Sequence, residues 1–473
     1  MRQKMSEIEQ DELFNELFSS ENLFITFNEK FSNSGAMGID RLNGMQYSLR
    51  AQRDLIKTSE KCLNGSFRFS PYLEMLKSKG RGKNPRVISI PTVRDRVVLR
   101  QLNIFLCKIF PEYVPKSVAS TYIRALSSDF LSANPNAVYV CSCDIEGVYD
   151  NIIKERLIKK LSSRIKSKKA LRLIVRSLLT PTSHGSAKRS QRKESFNKEK
   201  GVPQGLSISN VLASIYMSDI DTSMSSFNVT YYRYVDDVLI YGDEENVSKA
   251  YLSIRRKLKL RGLNTHPPSS PKTHLGYLNM PFGFLGYVFK GNDITVRDST
   301  QETFLQSIAA RFSDFTHNKN KRLKKYPHLS IDDLKEIFLE ELNEKITGAI
   351  SGNKRYGWVA YYSNINDLSL LYKIDFITKE MFSRLSDFEC KPPKDLKKIS
   401  RAYYEIKFNP QGGYVRNYDK IETLKQKTDF LVSRGRIAPD ERLTRDQIEE
   451  RFERYKAKIL SRMQADEGEI YPK

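Results

Sequence analysis

The sequence predicts an α+β protein, and three observations carry that expectation. Tyr231–Tyr234 and Val238–Tyr241 are β-branched, aromatic and aliphatic runs on either side of the tight connection Val235-Asp236-Asp237, the pattern of a β-hairpin with acids at its tip. A further apolar run from Ala137 ends on Asp144, and alternating runs over 64–72 and 85–91 read as two more strands. From about residue 300 the chain turns helical and charged.

The acids set the chemistry. Adjacent carboxylates in so apolar a stretch repel one another and lose hydration, so they need a cation. If Asp144 lies beside the hairpin tip, three carboxylates converge and can hold two Mg²⁺ ions about 3.5–4 Å apart, the arrangement used for in-line phosphoryl transfer. Asp-Asp in a turn is common by itself, and its weight comes from the company it keeps.

Composition narrows the partners. The 473 residues are 39% hydrophobic and 29% charged, enough for a sizeable core and two or three subdomains. The net charge of +23 is unevenly placed: residues 154–200 hold 16 basic and 3 acidic side chains, which points to a polyanion rather than a merely solvated surface. Five cysteines, mostly in apolar surroundings, suit a reducing cytoplasm, and Cys141 and Cys143 lack a second ligand pair at zinc spacing. No apolar run reaches membrane-spanning length, and the first residues are too polar for a signal peptide, so a cytoplasmic protein without a membrane partner is expected.

The motifs then carry a resemblance. Tyr234-Val-Asp-Asp237 resembles the Y-x-D-D box of reverse transcriptases, and Asp144-Ile-Glu-Gly-Val-Tyr-Asp150 their first metal box. Gly201-Val-Pro-Gln-Gly205 is similar to the G-x-P-Q-G box, Lys83 to Pro91 with Arg94-Asp-Arg96 to the fingers box, and Phe284-Leu-Gly-Tyr287 to the primer grip. Five boxes stand in the family's order over roughly residues 35 to 290. The resemblance implies a right-hand polymerase fold: an N-terminal helical segment (1–60), fingers and the start of the palm (61–135), and a palm (136–298) with a basic insertion near 181–200. A helical thumb (299–390) and a basic, helical C-terminal extension (391–473) follow.

It also implies roles. Asp144, Asp236 and Asp237 are the catalytic acids and, with Ile145, the metal ligands, holding two Mg²⁺ or, in their place, Mn²⁺. Arg86, Tyr149, Gln204 and Lys272 face the incoming deoxynucleotide: Arg86 on the triphosphate, Gln204 on nucleotide or template, Lys272 near the leaving group. Tyr149 packs under the sugar, where a bulky ring leaves no room for a 2′-hydroxyl. Tyr234, Phe284, Leu285, Gly286 and Tyr287, with Lys354, Arg355 and Trp358 of the thumb, contact primer and template. Blander readings stand beside these: Arg86 as an exposed strand residue, Tyr149 as core. Leu206-Ser-Ile-Ser209 lacks the proline often found after P-Q-G, which bears on template placement.

Elsewhere, Leu13, Phe14, Leu17, Phe18, Phe24 and Phe27 read as a helical aromatic face, 154–180 as one basic helix, and 181–200 as a loop near nucleic acid. Asp95 is expected to pair with a neighbouring arginine. Lys391-Pro-Pro-Lys394 reads as a boundary. Thr444 and Gln447 form a capping box for a helix whose Ile448, Phe452, Tyr455 and Ile459 line one face, either for packing within the chain or for self-association. No acid constellation for an RNase H domain and no histidine arrangement for an HNH nuclease is visible.

Within the family, the absence of the retron histidine element and thumb motif moves the resemblance towards defence-associated (unknown-group) bacterial reverse transcriptases, with retron and group II intron enzymes as relatives. That implies RNA-directed DNA synthesis on a cognate non-coding RNA in antiviral defence, with dNTPs, a DNA product, and a second copy or a partner defence protein as candidate associates. Non-templated or protein-primed synthesis, and an RNA-binding scaffold with an inactive palm, are the alternatives.

Overall fold

The computed structural model describes residues 5–78, 84–114, 119–185, 199–409 and 411–467. They gather into two compact units, one from 1–118 and 138–276, the other from 119–137 and 277–471. Among the described residues no helix is long and apolar enough to cross a membrane.

The first unit opens with helices Glu7–Leu17, Ser20–Lys30 and Gly44–Leu63, whose aromatic faces pack inward. Phe14 stacks on Phe18 and meets Phe105 of the helix Val93–Ile109 edge-on, while Phe24 stays exposed. Strands β1 (Tyr72–Lys77) and β2 (Arg86–Ile90) form an antiparallel hairpin. The expected strand over 64–72 exists only at its end: Phe67 and Phe69 alternate inward, but 64–71 has no ladder partner among the described residues. The basic turn carrying Lys79, Arg81 and Lys83 lies outside the described residues. Buried Asp95 accepts from the Arg94 guanidinium at 2.7 Å and from the Ser70 amide at 2.8 Å, tying the segment before β1 to the helix that follows β2.

At the centre of this unit is a four-stranded sheet. With β3 as Tyr139–Asp144, a two-residue β4 (Thr182–Ser183) extending the first hairpin, β5 as Val229–Tyr234, β6 as Asp237–Gly242 and β7 as Thr273–Tyr277, its order is β5-β6-β3-β7. Val140, Cys141, Cys143, Val238, Leu239 and Ile240 are buried in it, and Val247, Ala250, Ile254 and Leu258 of the helix Glu244–Leu260 are buried as well. The single basic helix expected over 154–180 is two, Lys154–Arg164 and Lys168–Leu179, because the chain turns at Ile165 and Ser167 caps the second. Of the loop 181–200, residues 186–198 lie outside the described residues; Lys200 returns to pair with Ile153.

The second unit holds a small sheet of β8 (Phe282–Phe284), β9 (Tyr287–Lys290) and β10 (Asp293–Val296), against which Phe130 of the helix Ala119–Ser132 packs. Long helices Asp298–Lys325 and Ile331–Thr347 follow. A sheet of β11 (Ala349–Ser351), β12 (Lys354–Tyr356) and β13 (Arg416–Asn417) comes next, then the helices Leu424–Ser433 and Arg445–Asp466. Thr444 and Gln447 do cap the last helix reciprocally, and its Phe452, Tyr455 and Ile459 pack on Tyr418, Phe430 and Leu431, so the apolar stripe serves packing within the chain. Lys391–Lys394 lies inside this unit: residues beyond it are bound back by buried ion pairs, Arg434 to Glu344 at 2.5 Å and Asp466 to Lys345.

Candidate active site

The β3–β6 ladder fixes the acids. Antiparallel register places Asp144 directly opposite Asp237, and the Ile145 amide donates to the Asp236 carbonyl at 2.9 Å. The connection is one residue tighter than the sequence suggests: Val235 and Asp236 form the turn, and Asp237 opens β6. Val235 takes φ +58°, a left-handed conformation costly for a β-branched residue. On the other side of Asp144, the His266 amide donates to its carbonyl at 3.0 Å and Thr265 bridges to Ile145.

All three acids are half-buried. The Lys272 ammonium sits 3.1 Å from an Asp144 carboxylate oxygen, so a cation already stands at this acid. Hard carboxylate oxygens suit Mg²⁺, and a lysine standing in at Asp144 shows that the position attracts positive charge, so the donor set fits the metal. The expected convergence is nonetheless one of backbone register: among the described residues no three acidic, His or Cys side chains cluster as a ready metal site. Ile145 is buried and could contribute only its carbonyl oxygen.

Behind the turn lies a support that no motif announced. Arg233 is bidentate to Asp221, at 2.7 and 2.5 Å, and donates a third bond at 3.0 Å to the Val235 carbonyl. The Tyr231 hydroxyl also donates to Asp221 at 2.7 Å. Burial alone would pull the Arg233 guanidinium down; Asp221 and Tyr231 outweigh it and hold it above its ordinary value. The sequence signal was a lone arginine inside an aromatic strand.

Tyr149 is buried, donates its hydroxyl to the Asn210 side chain, and accepts at its carbonyl from the Val202 amide at 2.7 Å. Burial raises its hydroxyl well above the ordinary range, with Asp236 raising it further and Arg233 and Arg86 opposing. Asp236, Tyr149 and half-buried Arg86 therefore share one electrostatic environment. Gln204 donates to Asp150 at 3.2 Å, and its carbonyl accepts from the Ser89 amide at 2.7 Å, fastening the Gly201–Gly205 turn to β2. Gly205, at φ +102°, has room for nothing else: an added Cβ would lie 2.9 Å from the Ser89 carbonyl oxygen. Beside Tyr234 opens a cavity of about 400 Å³ lined among others by Arg96, Leu99, Arg100, Leu206 and Asn210.

The residues assigned to primer and template in the second unit fare differently. Leu285 and Gly286, both at positive φ, are the turn between β8 and β9, and the Leu285 carbonyl accepts from Tyr361 at 3.0 Å. Phe284, Leu285 and Tyr287 are buried, so this hairpin can present backbone but not those side chains. Trp358 is 1% exposed and stacks on Phe304 at 4.8 Å; its ring belongs to the core and is not presented to primer or template as expected. Lys354 is exposed on β12, whereas Arg355 donates to the Ile406 carbonyl at 2.6 Å.

Residues 77–289 match the family model described as reverse transcriptase (RNA-dependent DNA polymerase). Among curated proteins the chain is similar to the group II intron-encoded protein LtrA of Lactococcus lactis subsp. cremoris, 22% identical over 343 residues, covering 66% of this chain and 53% of that protein. It is also similar to an uncharacterized 91 kDa protein in cob intron of Schizosaccharomyces pombe, 27% identical over 218 residues, covering 43% of this chain and 25% of that one. Among solved structures it is similar to telomerase from Candida albicans in complex with a TWJ fragment of telomeric RNA, at 13% identity and a TM-score of 0.42, covering 73% of this chain and 68% of that one. The chain spans about half the length of the Lactococcus protein. The fold is α+β, of the right-hand polymerase class. The matched segment, which holds Asp144, Tyr149, Asp236 and Asp237, is similar to reverse transcriptases.

Proposed function

We propose that the chain is an RNA-directed DNA polymerase, adding deoxynucleotides to a 3′-hydroxyl. The observation that carries this is the register that sets Asp144 against Asp237 beside the Asp236 turn, within a segment matched to reverse transcriptases. Asp144, Asp236 and Asp237, with the Ile145 carbonyl, would hold two Mg²⁺, which when bound supply an activated 3′-oxygen and a neutralised leaving group. The chain's own groups do the rest. Lys272 withdraws from Asp144 to meet the pyrophosphate, where its ammonium can give up a proton. Arg86 receives the triphosphate, and the Tyr149 ring, pinned by Asn210, blocks a 2′-hydroxyl. Gln204 and the cavity beside Tyr234 steady nucleotide and template, while the backbone of the β8–β9 turn and exposed Lys354 follow the primer strand.

We further propose that the template is a dedicated non-coding RNA, that the protein acts in the cytoplasm in defence against phage, and that the motif resemblance supports both. In primer extension on an RNA template, Asp236→Ala should lose about 10³-fold or more of the synthesis rate while remaining folded. Retained synthesis in that variant would remove the assignment. Sequencing the nucleic acid that copurifies with the protein tests the template, and plating of phage on cells carrying wild type or Asp236→Ala tests the role.

A further inference from the structure

A cavity of about 670 Å³ lies in the second unit, between the helices Asp298–Lys325, Ile331–Thr347 and Arg445–Asp466 and the turn at Arg434–Arg436. Its volume is that of a small-molecule site. Nine lysines and arginines line it against three carboxylates. Those three are already engaged: Asp314 by Arg322, Glu341 by Arg311 at 3.4 Å and Arg436 at 3.8 Å, and Asp466 by Lys345. Lys321, Lys458 and Arg462 have no ion pair among the described residues. Arg434 lines the same cavity with its side chain 1% exposed; Nη2 binds Glu340 and Glu344, but buried Nη1 has no hydrogen-bond partner.

An excess of positive charge gathered in a concave site, with an orphaned guanidinium nitrogen among its lining groups, is costly unless an anion completes it. We propose that this cavity binds a polyphosphate group, carried either by a free nucleoside triphosphate or by the 5′-triphosphate end of an RNA. A duplex backbone spreads its phosphates along a surface, whereas these cations surround one compact volume and match several phosphates close together. The surrounding charges agree: repulsion from Arg462 lowers Lys458, and burial followed by Arg311 lowers Arg462, so each cation gains from an anion. The site draws on none of the residues assigned to polymerisation.

The test is binding of inorganic tripolyphosphate to the full chain by calorimetry in EDTA, which silences a metal-dependent polymerase site. Lys458→Glu/Arg462→Glu is the variant, since both side chains are exposed and their reversal spares the core. Wild type should bind tripolyphosphate, and the variant about tenfold or more weakly, with an unchanged unfolding temperature. Competition then identifies the carrier: displacement by ATP points to a free nucleotide, and displacement only by a 5′-triphosphorylated RNA, not by its 5′-hydroxyl counterpart, points to an RNA end. No tripolyphosphate binding by wild type, or equal binding by the variant, overturns the proposal.

Discussion

Arg233→Met is the most informative perturbation of the candidate active site. It keeps the length and apolar stem of the side chain but removes the fork that grips Asp221 and the bond to the Val235 carbonyl. The Arg233 side chain is 8% exposed and Asp221 is 29% exposed, so water can partly resolvate the abandoned carboxylate. That places the cost at the lower end of the range for breaking a buried ion pair, about 3 kcal/mol. Released from Arg233, the turn no longer holds Val235 in its left-handed conformation, which by itself stores about 1–3 kcal/mol of strain. The tip should relax and carry Asp236 with it. A shift of about 1 Å at a reacting centre lowers the rate about 10²-fold. Urea unfolding measures the first effect and single-turnover primer extension the second. The double variant Asp221→Asn/Arg233→Met separates them: removing both charged partners should restore part of the stability. Synthesis should not recover, because the Val235 carbonyl still lacks its donor. If Arg233→Met costs under about 1 kcal/mol, or if the double variant regains synthesis along with stability, Arg233 does not position the turn.

Gly205→Ala should cost about 1–3 kcal/mol in urea unfolding and slow synthesis, since its Cβ meets the Ser89 carbonyl and Ile88 at 2.9 Å; an unchanged midpoint would contradict the close approach. Tyr149→Ala should raise the ratio of ribonucleotide to deoxynucleotide incorporation about 10²-fold while Tyr149→Phe does not, because the ring rather than its hydroxyl fills the space. His274 in β7 has its imidazole pulled below the ordinary range by burial, opposed by a backbone hydrogen bond at Gly276. The folded state therefore favours the neutral ring, and stability present above about pH 6.5 should be lost as the pH falls through the folded value. His274→Gln should flatten that slope in urea unfolding between about pH 7.5 and 5.

Local signals were legible in the sequence. Asp144 ends a strand and Asp236-Asp237 close a hairpin, so the acids' approach needed only strand pairing to follow. The capping box at Thr444 spans four residues and specified its helix start alone. Alternation over 64–72 told inside from outside at Phe67 and Phe69 but could not supply a ladder partner, which lies elsewhere in the chain or nowhere. The aromatic residues of the second unit misled for a related reason. Trp358 and Tyr287 near basic residues fit a surface that stacks on nucleic acid as well as a core, and only packing against Phe304 and Tyr362 decides between them.

Charge was the least legible property, and the two cation concentrations show why. The excess over 154–200 is contiguous and could be counted directly, though part of it lies outside the described residues. The cations of the 670 Å³ cavity come from three helices and a turn spread over more than a hundred residues, and on each element they read as an ordinary solvated face. Arg434 gave no sign of burial, since its partners Glu340 and Glu344 stand about ninety residues away. A site made of neighbours in sequence, such as the hairpin tip, survives as a motif. One made of long-range packing becomes visible only when the helices are brought together, and its ligand must then be inferred from the charges left without partners.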